Sequence, residues 1–175
     1  TGSRVKGAKS YAWLFYDRDY LYIGIRHEPD PYKNDMPPAM KNQVPSFEVA
    51  MESQQGAHSH GWWQYDMVTS GPVYSMDGNF RGEFKLNNLF GMPEEKAKGF
   101  TESVEYKADV QDEENRTWTS EIKIPISKIG INPEEVEKLA FNIGVSKRNG
   151  WFAWVPTGGS IWKIENAGFI RFDRN

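Results

Sequence analysis

Apolar residues at every second position, in short runs broken by turn residues, constrain this chain more tightly than any other feature. Such a run gives one apolar face only if the backbone is extended, because successive side chains of a strand point to opposite sides. Over residues 20–27, Leu21, Ile23 and Ile25 share a face; over 47–52, Phe47, Val49 and Met51 do, opposite Glu48 and Ala50. Trp118, Ile122, Ile124 and Ile126 align within 117–126, and Leu139, Phe141, Ile143 and Val145 form the cleanest run. Further strands are expected over 11–16, 62–69, 103–111 and 168–172. Turns are expected at Asp17-Arg18-Asp19 and over 112–115, a hairpin around Asp77-Gly78, and loops over 29–45 and 54–61. Residues 81–99 show no period. One helix start stands out at Asn132-Pro133-Glu134-Glu135, with an N-cap, a proline at the first position and Glu three residues after the cap. Many strands, one or two short helices and no βαβ rhythm predict an all-β fold: an antiparallel jelly-roll β-sandwich with no helix beyond about three turns.

At 175 residues a single domain is expected over 1–175, large enough to bury roughly 70% of its unfolded surface. Thr1-Gly2-Ser3-Arg4 reads as a cut end, so the domain is expected to be excised from a larger chain whose other domains are its partners. The chain has no cysteine, which removes disulfides and thiolate metal sites. Its 21 basic and 24 acidic residues are interspersed, leaving no basic stripe for a nucleic acid, and no apolar run spans a bilayer. The G-x-S-x-G elbow, the phosphate loop, H-E-x-x-H and the dinucleotide fingerprint are all absent, so a binding module is expected rather than an enzyme. His58-Ser59-His60 would place two imidazoles on one face of a strand, but it lies beside Gly56 and Gly61 and reads as a solvated loop.

Aromatic residues make up 14% of the chain, with seven Trp, which is more than a core of this size needs. If 62–69 is one strand, Trp63, Tyr65 and Met67 face the core and Trp62, Gln64 and Asp66 lie opposite, where Trp62 is either covered or offered to a ligand. Trp162 follows the loop 156–159, flanked by the polar Ser160 and Lys163. An indole placed so suits a sugar, whose C–H face stacks on the ring while its hydroxyls meet polar groups.

Five segments in order resemble the family-9 carbohydrate-binding modules and their relatives. They are 12–23 (AWLFYDRDYLYI), 46–51 (SFEVAM), 118–125 (WTSEIKIP), 141–145 (FNIGV) with Trp154, and 167–170 (AGFI). The resemblance implies a jelly-roll module that binds a glycan. Such modules are appended to secreted glycoside hydrolases or polysaccharide lyases, which places the chain in an extracellular or periplasmic setting, and they often carry structural calcium. By position Glu48 matches the family's sugar-binding glutamate and Trp162 lies near one clamp tryptophan. Asn42 stands where the other would be, leaving Trp62 or Tyr32 as second platform. The expected carbohydrate site is therefore Trp62, Trp162 and Glu48 on one exposed face, with Arg26, Gln64 and Asn142 supplying hydrogen bonds. Asp17, Asp19, Asp30 and Asp35 are the candidate calcium ligands. Two other classes compete: a structural, interdomain sandwich without ligand, and a haem-binding relative of the sandwich that would need an axial ligand such as Met67 or His58.

Overall fold

The computed structural model describes residues 9–29, 44–52, 58–62, 65–69, 73–87, 93–147 and 150–173, with backbone only for 58–62 and 65–69. Its strands are β1 (Ser10–Tyr16), β2 (Tyr20–His27), β3 (Ser46–Glu52), β4 (His58–Trp62), β5 (Tyr65–Thr69), β6 (Val73–Asn79), β7 (Phe84–Leu86), β8 (Glu105–Asp112), β9 (Thr117–Pro125), β10 (Lys138–Lys147), β11 (Gly150–Ala153) and β12 (Gly168–Arg171). Two short helices, α1 (Glu94–Ser103) and α2 (Ile126–Ile129), interrupt them. One sheet has the order β1-β2-β9-β8. The other has β11-β10-β3-β6-β7, with β12 also on β10, and β4 and β5 form a separate hairpin. Every pairing is antiparallel.

The alternation seen in the sequence is what joins the two sheets. Leu21, Ile23 and Ile25 of β2 and Trp118, Ile122 and Ile124 of β9 pack in one cluster with Phe47, Val49 and Met51 of β3 and Leu139, Phe141, Ile143 and Val145 of β10. The fold is thus a mostly β, two-sheet antiparallel arrangement around a shared core. A second, smaller cluster lies on the outer face of the larger sheet, where Ile161, Trp162 and Ile164 cover Ala50, Val73 and Ala140. Along one side the sheets stand apart. Between β1 and the β11–β12 edge lies an apolar cleft of about 600 Å3, reached by Ala12, Leu14, Phe152 and Trp154.

Four local expectations are corrected. His58-Ser59-His60 lies in a strand, not a loop, and 62–69 is not one strand, since β4 ends at Trp62 and β5 begins at Tyr65. Asp77-Gly78 is no hairpin turn: β6 runs through it, and Gly78 is there because an added Cβ would come within 2.3 Å of the Phe47 ring. Asn132 starts only a turn, accepting the Glu134 N–H at 3.1 Å on its side chain and the Val136 N–H at 2.9 Å on its carbonyl. The helix lies earlier, as α2, and Gly130 ends it in the left-handed conformation at φ 70°. Residues 94–103, which begin in the aperiodic stretch 81–99 and take in the first residue of the strand expected over 103–111, form α1, which buries only Ala97 and Phe100.

Phe141 is 1% exposed at the centre of the shared core. Phe141→Ala is expected to cost about 3–5 kcal/mol in chemical denaturation; a loss below about 1 kcal/mol would contradict the inward facing of β10.

Candidate functional site

Cross-strand registry builds a polar patch on the outer face of the larger sheet. Facing Phe47, Val49 and Met51 inward turns Ser46, Glu48 and Ala50 outward. On β6, Tyr74 and Met76 inward turn Ser75 and Asp77 outward. Glu48 pairs directly with Asp77, and Asp77 with Lys85 of β7, so two carboxylates and an ammonium lie in one row across three strands. The Ser75 hydroxyl donates to Glu48 Oε1 at 2.8 Å and accepts from Asn87 Nδ2 at 3.2 Å. Asn87 also hydrogen-bonds the Asp77 carboxylate.

Burial pushes the Glu48 carboxyl up to about 7; the Ser75 hydrogen bond pulls against that shift, and the neighbouring Asp77 charge adds to it. Asp77 is raised as well, first by its own burial, against which Asn87 and Lys85 act. Burial thus favours the protonated form of each carboxyl, and the Asp77 charge adds to the cost of ionising Glu48.

Trp151 completes the patch. It is 49% exposed at the start of β11, beside Gly144, the residue that pairs with Glu48. With Ser46, Asp77, Asn79 and Lys85 it lines a cleft of about 480 Å3. An aromatic wall opposite hydroxyl, amide, carboxylate and ammonium groups can stack the apolar face of a small polar molecule and hydrogen-bond its rim.

The residues expected to converge fall in different places. Glu48 faces outward as the alternation required, yet is only 8% exposed. Asn142 also faces outward but is fully buried. Its side chain holds the 154–162 segment down, donating to the carbonyls of Val155 (3.1 Å) and Ile161 (3.3 Å) and accepting the Val155 N–H (3.2 Å). Trp162 is a correction: at 9% exposure it belongs to the smaller apolar cluster and offers no exposed platform, because the loop before it folds back on the sheet. Arg26 is another: it lies on the outer face of the other sheet, where its Nε meets Glu28 at 2.7 Å. Trp62 ends β4, of which only the backbone is described; Gln64, like Tyr32 and Asn42, lies outside the described residues. Met67 and His58, the haem-ligand candidates, lie in the same hairpin as Trp62, opposite His60 and Thr69 respectively, again as backbone only.

Of the calcium candidates, Asp30 and Asp35 are outside the described residues. Asp17 is engaged as a turn cap: Oδ1 accepts the N–H groups of Asp19 and Tyr20 at 2.8 and 2.7 Å, and Oδ2 accepts the Tyr22 hydroxyl at 2.8 Å. These bonds hold its carboxyl below the usual range, the Asp19 N–H foremost. Among the described residues no group of three or more His, Cys, Asp or Glu is placed to hold a metal ion. No helix among them is long and apolar enough to cross a membrane.

Trp151 stands in an aromatic stretch, 151–154, whose alternation is too weak to set its facing; the turn signal at Asp77-Gly78 and the aperiodic stretch around Lys85 hide the other two. The available signal was Tyr74 and Met76 alternating with Ser75 and Asp77.

The raised Glu48 carboxyl carries a pH signature. Its folded value of about 7 lies above the ordinary 4.5, so the folded state binds the extra proton. Its contribution is therefore least unfavourable below about pH 4.5 and costs stability as pH rises to about 7. Glu48→Gln keeps an acceptor for Ser75 and is expected to raise stability at pH 8 by on the order of 2 kcal/mol, with little gain at pH 4.5. An equal gain at both pH values, measured by denaturation, would show that the carboxyl is not the titrating group. Comparison with family models and with curated proteins finds no match to this chain.

Proposed function

We propose that the chain is a non-catalytic glycan-binding module, and that its sugar site is the cleft between Trp151 and the Asp77–Lys85 row. The observation that carries the reading is an exposed tryptophan beside a polar cleft that holds both donors and acceptors. Stacking roughly 50–100 Å2 of sugar C–H surface on one indole contributes roughly 1–2.5 kcal/mol. Hydrogen bonds from Lys85, Asp77, Ser46 and Asn79 must supply the rest and the selectivity. The jelly-roll connection, an extracellular or periplasmic setting and attachment to a polysaccharide-degrading enzyme belong to the same proposal, and rest on the resemblance of the five segments. So does structural calcium, which Asp17, with its oxygens engaged in a turn, does not support.

A glycan array on the isolated chain, with chain-end and internal ligands both represented, tests this. Binding is expected for at least one oligosaccharide, with Trp151→Ala and Asp77→Asn each weakening it by about tenfold or more without lowering the melting temperature. If the array shows no binding, or both variants bind as the wild type does, the cleft is not a sugar site.

A further inference from the structure

The outer face of the four-stranded sheet carries a glycine that the fold does not require. Gly24 lies mid-strand in β2, paired with Trp13 of β1 on one side and Glu121 of β9 on the other. Its φ is not positive, and among the described residues an added Cβ would meet nothing within 4 Å. Gly78, Gly144 and Gly168 are different, for there an added Cβ would press within 3 Å on Phe47, Ile161 and Trp154 respectively. Glycine inside a strand forgoes packing and costs backbone entropy, and where no protein atom fills the space it marks close approach by something else.

The missing side chain leaves a trough of about 580 Å3 over Gly24, between Tyr22 on one side and Glu121, Lys107 and Lys123 on the other. Trp13, the β1 partner of Gly24 on the same outer face, is 57% exposed. The Tyr11 ring lies 6.3 Å from that of Trp13, tilted by only 26°, and the Arg26 guanidinium sits 4.9 Å from the Tyr11 centroid. Phe15, 66% exposed, extends the aromatic row on the other side of Trp13. Three large rings are thus turned to water on alternate residues of one strand, an unfavourable exposure for a free surface.

Charge decides among possible occupants. Each cation beside the trough has a nearby carboxylate: Arg26 meets Glu28 at 2.7 Å, Lys123 meets Glu105 at 2.7 Å, and Lys107 pairs across the strands with Glu121. The mixed signs leave no net field to favour a phosphate, a uronate or an anionic lipid surface, while offering donors and acceptors side by side. Exposed rings and paired hydrogen-bonding groups on one face complement an uncharged sugar. Because the trough opens on a sheet face rather than closing as a pocket, it accommodates internal units of a chain.

We propose that this trough is a second glycan site, which takes internal units of an extended, uncharged polysaccharide, with Trp13 as the stacking platform and Gly24 as the space the chain occupies. It shares only the ligand class with the cleft at Trp151, which lies on the opposite outer face.

Native affinity electrophoresis through gels containing mixed-linkage β-glucan, arabinoxylan, galactomannan or, as a charged control, polygalacturonate tests it. At least one neutral polymer is expected to retard the wild type, and molar salt should not reverse this. Gly24→Val and Trp13→Ala should each weaken retardation about tenfold or more. The melting temperature of Gly24→Val should equal or exceed that of the wild type, since valine favours strands and its space is empty. Gly24→Val should still bind oligosaccharides on the array as the wild type does while its polymer retardation falls, which separates this trough from the cleft at Trp151. The inference is overturned if no neutral polymer retards the protein, if Gly24→Val binds as the wild type does, or if only polygalacturonate binds and salt releases it. It is equally overturned if the wild type sediments as a dimer that Trp13→Ala dissociates, for the face would then be an interface between copies.

Discussion

The indole of Trp118 lies flat on the imidazole of His27, with centroids 3.7 Å apart and planes within 3°. The two residues are cross-strand partners on β9 and β2, and Phe47 of the opposite sheet closes on both at 6.2 and 6.1 Å. Burial, aided by the Lys147 charge, holds the imidazole down to about 3, so it stays neutral and can lie in the core. This junction sets the facing of three strands together. With a side-chain period of two, fixing His27, Trp118 and Phe47 inward obliges Arg26, Thr119 and Glu48 to point outward. A one-residue slip in β2 or β3 would bring Arg26 or Glu48 into the core, at a cost no nearby partner offsets. Both candidate surfaces therefore follow from the packing between the sheets.

The two outer faces then diverge because only one is partly covered. Segment 154–164 folds over the larger sheet, anchored by the hydrogen bonds of Asn142 and admitted by Gly144, where a Cβ would stand 2.4 Å from Ile161. It brings Ile161, Trp162 and Ile164 onto Ala50, Val73 and Ala140, so the small residues of that face are the covered ones. Beyond this cover the face is polar. The low-dielectric border raises the Glu48 and Asp77 carboxyls and makes their hydrogen bonds stronger than they would be in water. Among the described residues the four-stranded sheet has no such cover over Gly24, and Trp13 and Phe15 are exposed.

Facing was legible in the sequence; cover was not. The alternation correctly turned Glu48 and Asn142 away from Phe47 and Phe141, but a period of two carries no information about what a distant segment lays over the outer face. Trp162 shows the same limit. A Gly-rich loop beside polar residues reads as exposed, and only long-range packing on Ala50 and Ala140 reveals the indole as core. At Asp77-Gly78 the local turn signal was overridden by the space the Phe47 ring needs. Helix α1 had almost no signal, for it buries two residues, begins after Pro93 and has no side-chain cap at its start. In β1, by contrast, Tyr11, Trp13 and Phe15 were visible as one face of an expected strand, yet that strand has large residues on both faces and its period alone did not say which was inward.

The placement of the two surfaces limits how they can act together. They lie back to back on sheets that pack about 10 Å apart, with side chains pointing in opposite directions. If both surfaces bind glycans as proposed, a short oligosaccharide at Trp151 cannot reach Trp13, and the surfaces cannot combine as a single clamp. Each must hold its ligand with its own rings and hydrogen bonds, and one indole contributes only a few kcal/mol at most. Tight retention would then come from simultaneous engagement of separate chains, or of distant segments of one long chain, where the second contact forms at a high effective concentration. On that proposal a long or assembled polysaccharide is favoured over a free sugar, because only a long chain or several chains can present segments to opposite faces of one domain.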